Sequence, residues 1–386
     1  MNDASPKIIL NTIKKAINSE TAKLHEPSFI GNEYKYISDC LESTFVSSVG
    51  EYVDMFSKRL EKITKAKYVV PVINGTSGIH ASLIIAGVKQ NYEVLVPSLT
   101  FIATANAVCY CNAIPHFVDV ENDTLGIDPN KLRDYLNKIS YYKSGKLFNK
   151  ITGRRIKAII PMHTFGHPCK IDKITEIAKE FKLIVIEDAA EALGSYYKKV
   201  HVGNFGLAGV LSFNGNKTIT TGAGGAVITN DRMFAKKLLH LTTTSKIQHQ
   251  WDYIHDGIGY NYRMANLNAA LGCAQLERLE EILRNKRDLF EKYNYEFREI
   301  KNLRIFKEPD DCTSNYWLQT IILKKPSLKF RNQILKYCNN SGIKTRPCWK
   351  LLHQLKPFKN MPSAPLKVSE ELEKKIINIP SSDFLI

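Results

Sequence analysis

The sequence predicts an α/β protein with a large domain, built on a mostly parallel seven-stranded sheet, and a smaller α+β domain. Between about residues 55 and 230, short apolar runs alternate with segments of helical spacing, which is the pattern of crossover α/β units. Beyond Asn266 the apolar residues recur at helical spacing through one long charged segment instead. We therefore expect residues 1–265 to form an amino-terminal segment and the large domain, and residues 266–386 a bridging helix and the small domain.

The individual elements follow from these patterns. The seven strands are expected at Val69–Ile73, Glu93–Val96, Pro115–Val118, Ala158–Met162, Leu183–Glu187, Val210–Phe213 and Ala226–Thr229. The helices between them are expected at Gly78–Ala86, Ala103–Cys111 and Asp172–Phe181. In the second domain we expect the bridging helix from Asn266 toward Asn294, a strand at Trp317–Leu323 and a helix at Phe330–Asn339. The pattern before residue 60 is mixed and does not show which domain that segment joins.

The composition excludes disordered and fibrous proteins. The chain has 386 residues, of which 44% are hydrophobic, and this is enough to bury a sizeable core. Its eight cysteines are scattered and never form a Cys-x-x-Cys pair, which is typical of reduced thiols. The first residues lack a hydrophobic signal core, and no apolar run approaches the roughly 20 residues needed to cross a bilayer. We expect a cytoplasmic protein with no membrane partner.

The net charge of +16 at pH 7 indicates an anionic partner without identifying it. Part of this charge lies in residues 137–157, which hold seven Lys or Arg side chains and no acid. The segment fits a phosphate-binding arm and also a solvated basic hairpin, and we favour the hairpin. No aromatic-interleaved module of the kind that single-strand binders need accompanies it, so we expect no nucleic-acid partner.

Asp188 directly follows an expected buried strand, Leu183–Glu187, in the run Ile184–Gly194. In an open parallel sheet, the carboxyl ends of the strands form the edge where ligands bind. A carboxylate there suits a site that needs a permanent negative charge beside a cation, such as a protonated pyridinium nitrogen. A metal ligand and a helix N-cap are alternative roles for Asp188.

Lys217 directly follows an expected strand and precedes a glycine-rich turn. A lysine on the floor of a pocket can lose its proton by desolvation, and it then acts as a nucleophile and base that forms a Schiff base with an aldehyde cofactor. A surface lysine is the alternative. Ser212 and the glycines at residues 222–225 suggest a phosphate seat, although their spacing matches neither the Walker nor the Rossmann fingerprint.

Two further segments hold candidate site residues. The segment Asn74–Gly78 lies between an expected strand and an expected helix, where N–H groups, hydroxyls and the positive helix end could hold a phosphate. Ser or Thr at such a place is also simply a good helix cap. His163 and His167 lie four residues apart, but the Gly between them and the Pro after them indicate a turn rather than a metal-binding helix. We expect no metal site, and we place His163 near a cofactor ring or the substrate.

Five sequence blocks occur in order along the chain: Asn74–His80, Leu99–Ala107, Glu187–Gly194, Ser212–Phe213 ahead of Lys217, and Gly259–Met264. Together they resemble the DegT/DnrJ/StrS family of pyridoxal-phosphate-dependent sugar aminotransferases. The resemblance covers nearly the whole chain, from about Gly31 to the last helix. It implies fold type I of the pyridoxal-phosphate-dependent transferases, the aspartate-aminotransferase fold.

The resemblance also implies roles for the matching residues. Lys217 would form the Schiff base with pyridoxal 5′-phosphate and shuttle protons, and Asp188 would keep the pyridinium nitrogen protonated. Glu191 would lie near the phenolic oxygen of the cofactor, where its carboxylate needs a proton or a cationic neighbour. The remaining cofactor contacts would be made by phosphate-binding residues and a ring-stacking Phe: Gly75, Thr76, Ser77, Phe101, Ser212, Asn216 and, from the neighbouring subunit, Asn261.

Three more segments, Gly31–Glu33, Thr44–Val53 and Thr345–Lys350, resemble a branch of the family that acts on nucleotide-linked 4-keto-6-deoxy sugars in bacillosamine and legionaminic acid synthesis. In that branch Ser47 and Ser48 would close over the sugar, and Arg346 and Trp349 would contact the nucleotide-sugar. An Arg can bind a diphosphate through two parallel hydrogen bonds. A purely structural role for Arg346 stays open.

The resemblance thus implies a transaminase that moves an amino group from L-glutamate to C4 of a UDP- or GDP-linked 4-keto-6-deoxy hexose, passing through the pyridoxamine form of its cofactor. The active unit would be a homodimer with shared active sites, because Asn261 would reach the neighbouring subunit's cofactor phosphate. The alternatives within the family are a GDP-perosamine-type 4-aminotransferase and a 3-aminotransferase. A regulatory relative without cofactor is the alternative outside catalysis, and Lys217 and Asp188 argue against it.

Overall fold

The computed structural model describes residues 4–386. The α-helices are α1 (Pro6–Ile17), α2 (Glu33–Glu42), α3 (Glu51–Thr64), α4 (Gly75–Ile85), α5 (Ile102–Tyr110), α6 (Pro129–Ile139), α7 (Ile171–Glu180), α8 (Arg232–Thr242), α9 (Asn266–Glu277), α10 (Leu279–Phe297), α11 (Leu328–Asn340) and α12 (Lys367–Glu373). The β-strands are β1 (Tyr68–Val72), β2 (Glu93–Pro97), β3 (Ile114–Val118), β4 (Ser140–Lys143), β5 (Lys146–Asn149), β6 (Ile156–Ile159), β7 (Ile184–Asp188), β8 (Tyr196–Tyr197), β9 (Val200–His201), β10 (Ala208–Ser212), β11 (Gly225–Thr229), β12 (Lys246–Ile247), β13 (Ile254–His255), β14 (Leu303–Ile305), β15 (Cys312–Thr313), β16 (Gln319–Leu323), β17 (Arg346–Pro347) and β18 (Ile376–Ile379).

A seven-stranded sheet forms the centre of the large unit, with its strands in the order β1, β11, β10, β7, β6, β2, β3. β11 is antiparallel to both of its neighbours, and the strand pairs from β10 to β3 are all parallel. The expected α/β architecture with a mostly parallel sheet is therefore confirmed. All seven expected strands are present, with their ends shifted by at most three residues.

Apolar side chains cover both faces of this sheet, because helices pack on each side of parallel strands. β2 is buried along its whole length and shows the alternation: Leu95 joins one apolar cluster, and Val94 and Val96 join the other. The first cluster includes side chains from α3, α6, α7 and α9, and the second includes side chains from α4, α5 and α8. This packing fixes the carboxyl ends of the strands relative to one another.

The long helix expected from Asn266 toward Asn294 is two helices. α9 ends at Glu277 and α10 begins at Leu279, so that Arg278 alone interrupts the helical run. The Arg278 guanidinium bonds the Glu281 carboxylate at 3.1 Å and the Ser28 hydroxyl at 3.3 Å. The break involves neither Gly nor Pro, which is why helical spacing alone did not show it.

The carboxyl-terminal unit is the four-stranded sheet β14, β16, β18, β17, packed with α10 and α11. α1 packs on this unit, a placement that the mixed sequence pattern before residue 60 left open. Pro6 begins the helix, and the Ser5 hydroxyl caps it by accepting from the Ile8 N–H. Its buried face, which includes Ile13, lies in one apolar cluster with side chains of α10 and α11.

The amino-terminal segment therefore crosses between the two units. α2 and α3 pack against α9, and α3 also packs against β1. Residues before 60 thus contact the carboxyl-terminal unit through α1 and the large unit through α2 and α3. Their mixed sequence pattern reflects these two environments.

The basic segment 137–157 contains the favoured hairpin, formed by β4 and β5. It follows α6 and precedes β6, so it projects from the amino-terminal edge of the central sheet. All eight cysteines are free thiols. Within residues 4–386, no helix is both long and apolar enough to span a bilayer.

Replacing Ile13 with Ala tests the anchoring of α1. The Ile13 side chain is fully buried, so Ile13→Ala should lower the free energy of unfolding by about 2–5 kcal/mol through lost burial and a cavity. Urea denaturation followed by circular dichroism measures this change. Ile151→Ala is the matched control, since the Ile151 side chain is 80% exposed. Equal effects of the two substitutions would show that α1 does not pack as described.

Candidate active site

A cavity of about 390 Å³ lies at the carboxyl ends of β1, β2, β7 and β10. This is the edge of a parallel sheet where ligands bind, and small-molecule sites have volumes of roughly 300–1,000 Å³. Nine residues singled out from the sequence line this cavity: Gly75, Thr76, Phe101, Asp188, Glu191, Ser212, Asn216, Lys217 and Trp349. The fold therefore brings together side chains that are far apart in the sequence.

One part of the cavity wall has the donors that an anion needs. α4 begins there, and Asn74 caps it by accepting a hydrogen bond from the Ser77 N–H at 2.8 Å. Thr76 and Ser212 line the cavity beside the positive end of this helix. Gly75 lets the turn close onto β10, because a Cβ at that position would lie 3.1 Å from the Cβ of Ser212. Hydroxyls, backbone N–H groups and a helix end together are well suited to a phosphate.

Ser77 differs from its expected placement. Its side chain is buried and does not line the cavity. Its N–H is occupied by the Asn74 cap, so Ser77 takes part in the start of the helix.

Asp188 lies at the end of β7 with its carboxylate at the cavity floor. The Thr104 hydroxyl donates to Oδ2 at 2.6 Å, and the Ala190 N–H donates to Oδ1 at 3.2 Å. No Lys or Arg nitrogen in the described part of the chain forms an ion pair with this buried carboxylate. A buried charge without a partner favours a cation from a ligand. The sequence reading missed Thr104, whose signal was a hydroxyl in the first turn of the helix after β2.

His163 does not line the cavity, which corrects its expected place near a cofactor ring or substrate. It is fully buried, with Nε2 3.1 Å from the carboxylate of Glu187 and Nδ1 accepting from the Cys169 N–H. Glu187 precedes Asp188 on β7, and neighbouring side chains of a strand point to opposite faces of the sheet. His163 therefore bonds the acid on the far side of the strand.

Lys217 lies in the turn that follows β10, and its amine faces two groups of the cavity wall. Nζ is 3.3 Å from Oε1 of Glu191 and 4.1 Å from the centre of the Trp317 ring. The indole N–H of Trp317 donates to the carbonyl of Asn216 at 2.6 Å, so this ring also fixes the turn that carries the lysine. The sequence showed Trp317 only as the start of a strand.

The burial of the site changes the pKa of the Glu191 carboxyl. Desolvation raises the pKa of its carboxyl to about 7, and the neighbouring Lys217 acts in the opposite direction. The Phe165 N–H donates to Oε2 at 2.9 Å. The sequence analysis asked for a proton or a cationic neighbour at this carboxyl, and the site offers a pKa near neutrality together with the Lys217 amine.

Lys286 lies beneath this cluster and is fully buried. Its amine donates to the carbonyl of Trp317 at 3.2 Å and to that of Ser381 at 2.7 Å, and it lies 2.8 Å from Nε2 of His25. Burial lowers the pKa of this lysine to about 7. Lys286 therefore ties the backbone of Trp317 to the amino-terminal segment and to the carboxyl terminus.

Besides Ser77 and His163, four predicted site residues lie outside this cavity in a single chain. Asn261 is exposed and bridges Thr243, and Arg346 is exposed on β17. Ser47 and Ser48 belong to the loop before α3, where the carbonyl of Ser47 accepts from the Asn266 N–H at 2.6 Å. Trp349 does line the cavity, with its ring 5.0 Å from that of Phe165.

Comparison with known proteins gives one consistent family. The profile of the DegT/DnrJ/EryC1/StrS aminotransferase family matches residues 27–385. GDP-perosamine synthase of Escherichia coli O157:H7 is 36% identical over 93% of this chain and 92% of its own length. EpsN of Bacillus subtilis, named as a pyridoxal phosphate-dependent aminotransferase, is 34% identical over 86% of this chain and 82% of its own length.

A solved structure agrees with these relatives. A DegT/DnrJ/EryC1/StrS aminotransferase from Brucella abortus superimposes with a TM-score of 0.83 at 28% identity, covering 92% of this chain and 91% of the other. The match therefore extends through both units of the fold.

Glu191→Gln should remove a pH dependence of stability. The folded chain keeps the Glu191 proton up to about pH 7, whereas the unfolded chain releases it near 4.5, so the folded state holds more protons in this range. Wild type should therefore lose up to about 3 kcal/mol relative to Glu191→Gln as the pH rises from 4 to 8. Urea denaturation of ligand-free protein at a series of pH values measures it.

Glu42→Gln, at an exposed position, is the control and should show no such trend. A difference between wild type and Glu191→Gln that stays constant with pH would contradict the raised pKa.

Proposed function

Because the chain belongs to the DegT/DnrJ/EryC1/StrS aminotransferase family, it is a pyridoxal phosphate-dependent sugar aminotransferase, and we propose that its acceptor is a GDP-linked 4-keto-6-deoxy hexose. The observation that carries this proposal is the 36% identity to a GDP-perosamine synthase along 93% of the chain. Perosamine is a 4-amino-4,6-dideoxy hexose, so its amino group enters at C4. The identity thus supports the alternative, the GDP-perosamine type, over the main sequence-based expectation, the bacillosamine and legionaminic acid branch.

The donors of the cavity fit pyridoxal 5′-phosphate. The start of α4, with Thr76 and Ser212, would hold the phosphate. Asp188 has no cationic partner in the described chain, so its carboxylate would balance a protonated ring nitrogen. Phe101, on the cavity wall, would cover the ring. Binding of this cofactor would thus give a role both to the buried Asp188 carboxylate and to the anion-binding turn at the start of α4.

When bound, the cofactor supplies an aldehyde that takes up an amino group and a ring that accepts electron density. Lys217 would hold the cofactor through Nζ, and the freed amine would take the proton from the α-carbon of the donor, for which we propose L-glutamate. Glu191, 3.3 Å from Nζ, would stabilise the protonated form of this amine. Trp317 would limit its movement by covering it at 4.1 Å. Nζ of Lys217 would thus be the atom that takes up and carries the α-proton of the donor.

We further propose that the active unit is a homodimer with shared sites. Asn261 lies in the block Gly259–Met264 that resembles the family, yet it is exposed and outside its own chain's cavity. Ser47, Ser48 and Arg346 also lie outside that cavity. A second copy could bring Asn261 to the phosphate end of the neighbouring site, as the family resemblance implies.

The proposed acceptor is tested by incubating the protein with L-glutamate, pyridoxal phosphate and either a GDP- or a UDP-linked 4-keto-6-deoxy hexose. We expect a 4-amino product from the GDP sugar, with a kcat/KM at least about tenfold above that for the UDP sugar, a difference of about 1.4 kcal/mol. Mass spectrometry and NMR of the product identify the amine position. A higher kcat/KM for the UDP sugar would contradict the proposal.

Lys217→Ala should lower kcat by on the order of a thousandfold or more, because water does not replace the lost amine at a comparable rate. Borohydride reduction and peptide mapping of wild type should place the pyridoxyl group on Lys217. Lys301→Ala, at an exposed lysine, is the control and should keep full activity. A label on another lysine would end this assignment.

Mixing two inactive variants tests the shared sites. A heterodimer of Lys217→Ala and Asn261→Ala chains has one site with both changes and one with neither, so exchange should give activity above the sum of the parents. Differently tagged chains and native mass spectrometry measure the exchange. No gain in activity despite complete exchange would argue that each chain forms its own site.

A further inference from the structure

We propose that the β4–β5 hairpin docks on a bilayer surface that carries anionic phospholipid headgroups. The docking surface, which we call the basic face, consists of Tyr141, Lys143, Lys146, Phe148, Arg155 and Lys157. Its role goes beyond the transfer of an amino group, because it lies away from the cavity that would perform that reaction.

The strand register places these side chains on one face. Tyr141 lies opposite Phe148, and Lys143 lies opposite Lys146. Side chains two residues apart on a strand point to the same side, so the two pairs share a face. A bridge between Phe148 and Arg155 adds the next stretch of chain to that face.

The alternate residues of β5 point inward. Leu147 and Asn149 on β5 and Ile156 at the start of β6 are all buried, whereas Tyr142, the alternate residue of β4, is 48% exposed. Lys157, two residues after Arg155, shares the basic face. Burial lowers the pKa of Lys157, and the charges of Arg155 and Lys146 act in the same direction.

The cations of this face have no acidic partners. The salt bridges found in residues 4–386 include none of the Lys and Arg side chains of the basic face. By contrast, Lys131, Arg133 and Lys173 on the helices α6 and α7 are paired with acids. Like charges directly opposite each other, as at Lys143 and Lys146, destabilise a strand pair. An anionic membrane surface would relieve this repulsion. Each cation of the basic face would also be attracted to the anionic headgroups.

The hairpin is held rigidly, so the face has a fixed orientation. The Asn149 amide and the Thr152 hydroxyl both donate to the buried carboxylate of Glu93, at 2.9 and 2.5 Å. His116 bonds the same carboxylate at 2.9 Å. The Lys150 N–H donates to the carbonyl of Ile139, which joins the hairpin to the end of α6.

The aromatic residues favour a bilayer over a nucleic acid. The rings of Tyr141 and Phe148 lie 5.8 Å apart with an interplanar angle of 32°, so each covers part of the other and neither is a free platform for a base. At a bilayer, amphipathic rings lie at the level of the headgroups. Ile151, in the turn after β5, is 80% exposed and adds an apolar side chain beside the hairpin.

The position in the fold is compatible with catalysis on the membrane. The hairpin precedes β6 and lies at the amino-terminal edge of the sheet, whereas the cavity opens at the carboxyl ends of the strands. A protein docked through the basic face would keep its cavity open to solvent. Such peripheral contact needs no membrane-spanning helix, and it departs from the sequence-based expectation of no membrane partner.

Co-sedimentation of the purified full-length protein with lipid vesicles tests the proposal, whatever its oligomeric state. We expect binding to phosphatidylcholine vesicles that contain phosphatidylglycerol, little binding to phosphatidylcholine alone, and loss of binding as salt is raised. The double variant Lys143→Glu/Lys146→Glu should lower the partition coefficient roughly tenfold or more. Its aminotransferase activity in solution should equal that of wild type, which also shows that it folds.

The matched control is Lys329→Glu/Lys336→Glu on α11, which makes the same change in net charge at exposed lysines of the carboxyl-terminal unit. This control should bind vesicles nearly as well as wild type. The proposal is overturned if the control loses binding as much as the hairpin variant, or if wild type binds neither vesicle. Binding of single-stranded RNA or DNA through the same two lysines, without vesicle binding, would assign the face to nucleic acid instead.

Discussion

Two adjacent carboxylates at the end of β7 determine how the rest of the site is arranged. Because neighbouring residues of a strand point to opposite faces, Glu187 and Asp188 face different surroundings. The Glu187 carboxylate has a full set of partners within the protein. Three backbone N–H groups of the loop 203–206 donate to it at 2.7 Å, and His163 bonds it as well. Asp188 receives one neutral hydrogen bond on each carboxylate oxygen and no ion pair, and its charge is left to a ligand. The first acid therefore orders the loops that surround the strand, and the second supplies the unbalanced charge.

The sequence predicts the parts of this arrangement that depend on local patterns. Apolar runs locate the seven strands, and the position of Asp188 and Lys217 just after two of them places both at one edge. Contacts between distant residues are not visible in such patterns, which is why Trp317 and Thr104 were missed. His163 was misplaced for the same reason: an isolated histidine in a turn does not reveal that a buried glutamate on the other side of the strand bonds it. The single-residue break at Arg278 likewise depends on partners elsewhere in the chain.

The lysine of the active site is held by both units of the protein. Glu191 belongs to the large unit, whereas Trp317 lies two residues before β16 of the carboxyl-terminal sheet. Lys286 bonds the backbone of Trp317 from α10, so the position of the indole ring depends on the packing of the smaller unit. Relative movement of the two units would therefore change the surroundings of the Lys217 amine directly. The basic face lies at the opposite edge of the central sheet, where contact with another surface would leave these interactions in place.

The packing of α1 has a consequence for biosynthesis. This helix leaves the ribosome well before its apolar partners, which lie on α10 and α11, about 270–330 residues later. At roughly 5–20 residues per second, they emerge about 14–66 s after it. During that interval the face formed by Ile9, Ile13 and Ile17 has no native partner. The large unit can form its central sheet before α11 has been translated, so the amino-terminal helix is an exposed apolar segment of the nascent chain and a natural site for a chaperone to bind.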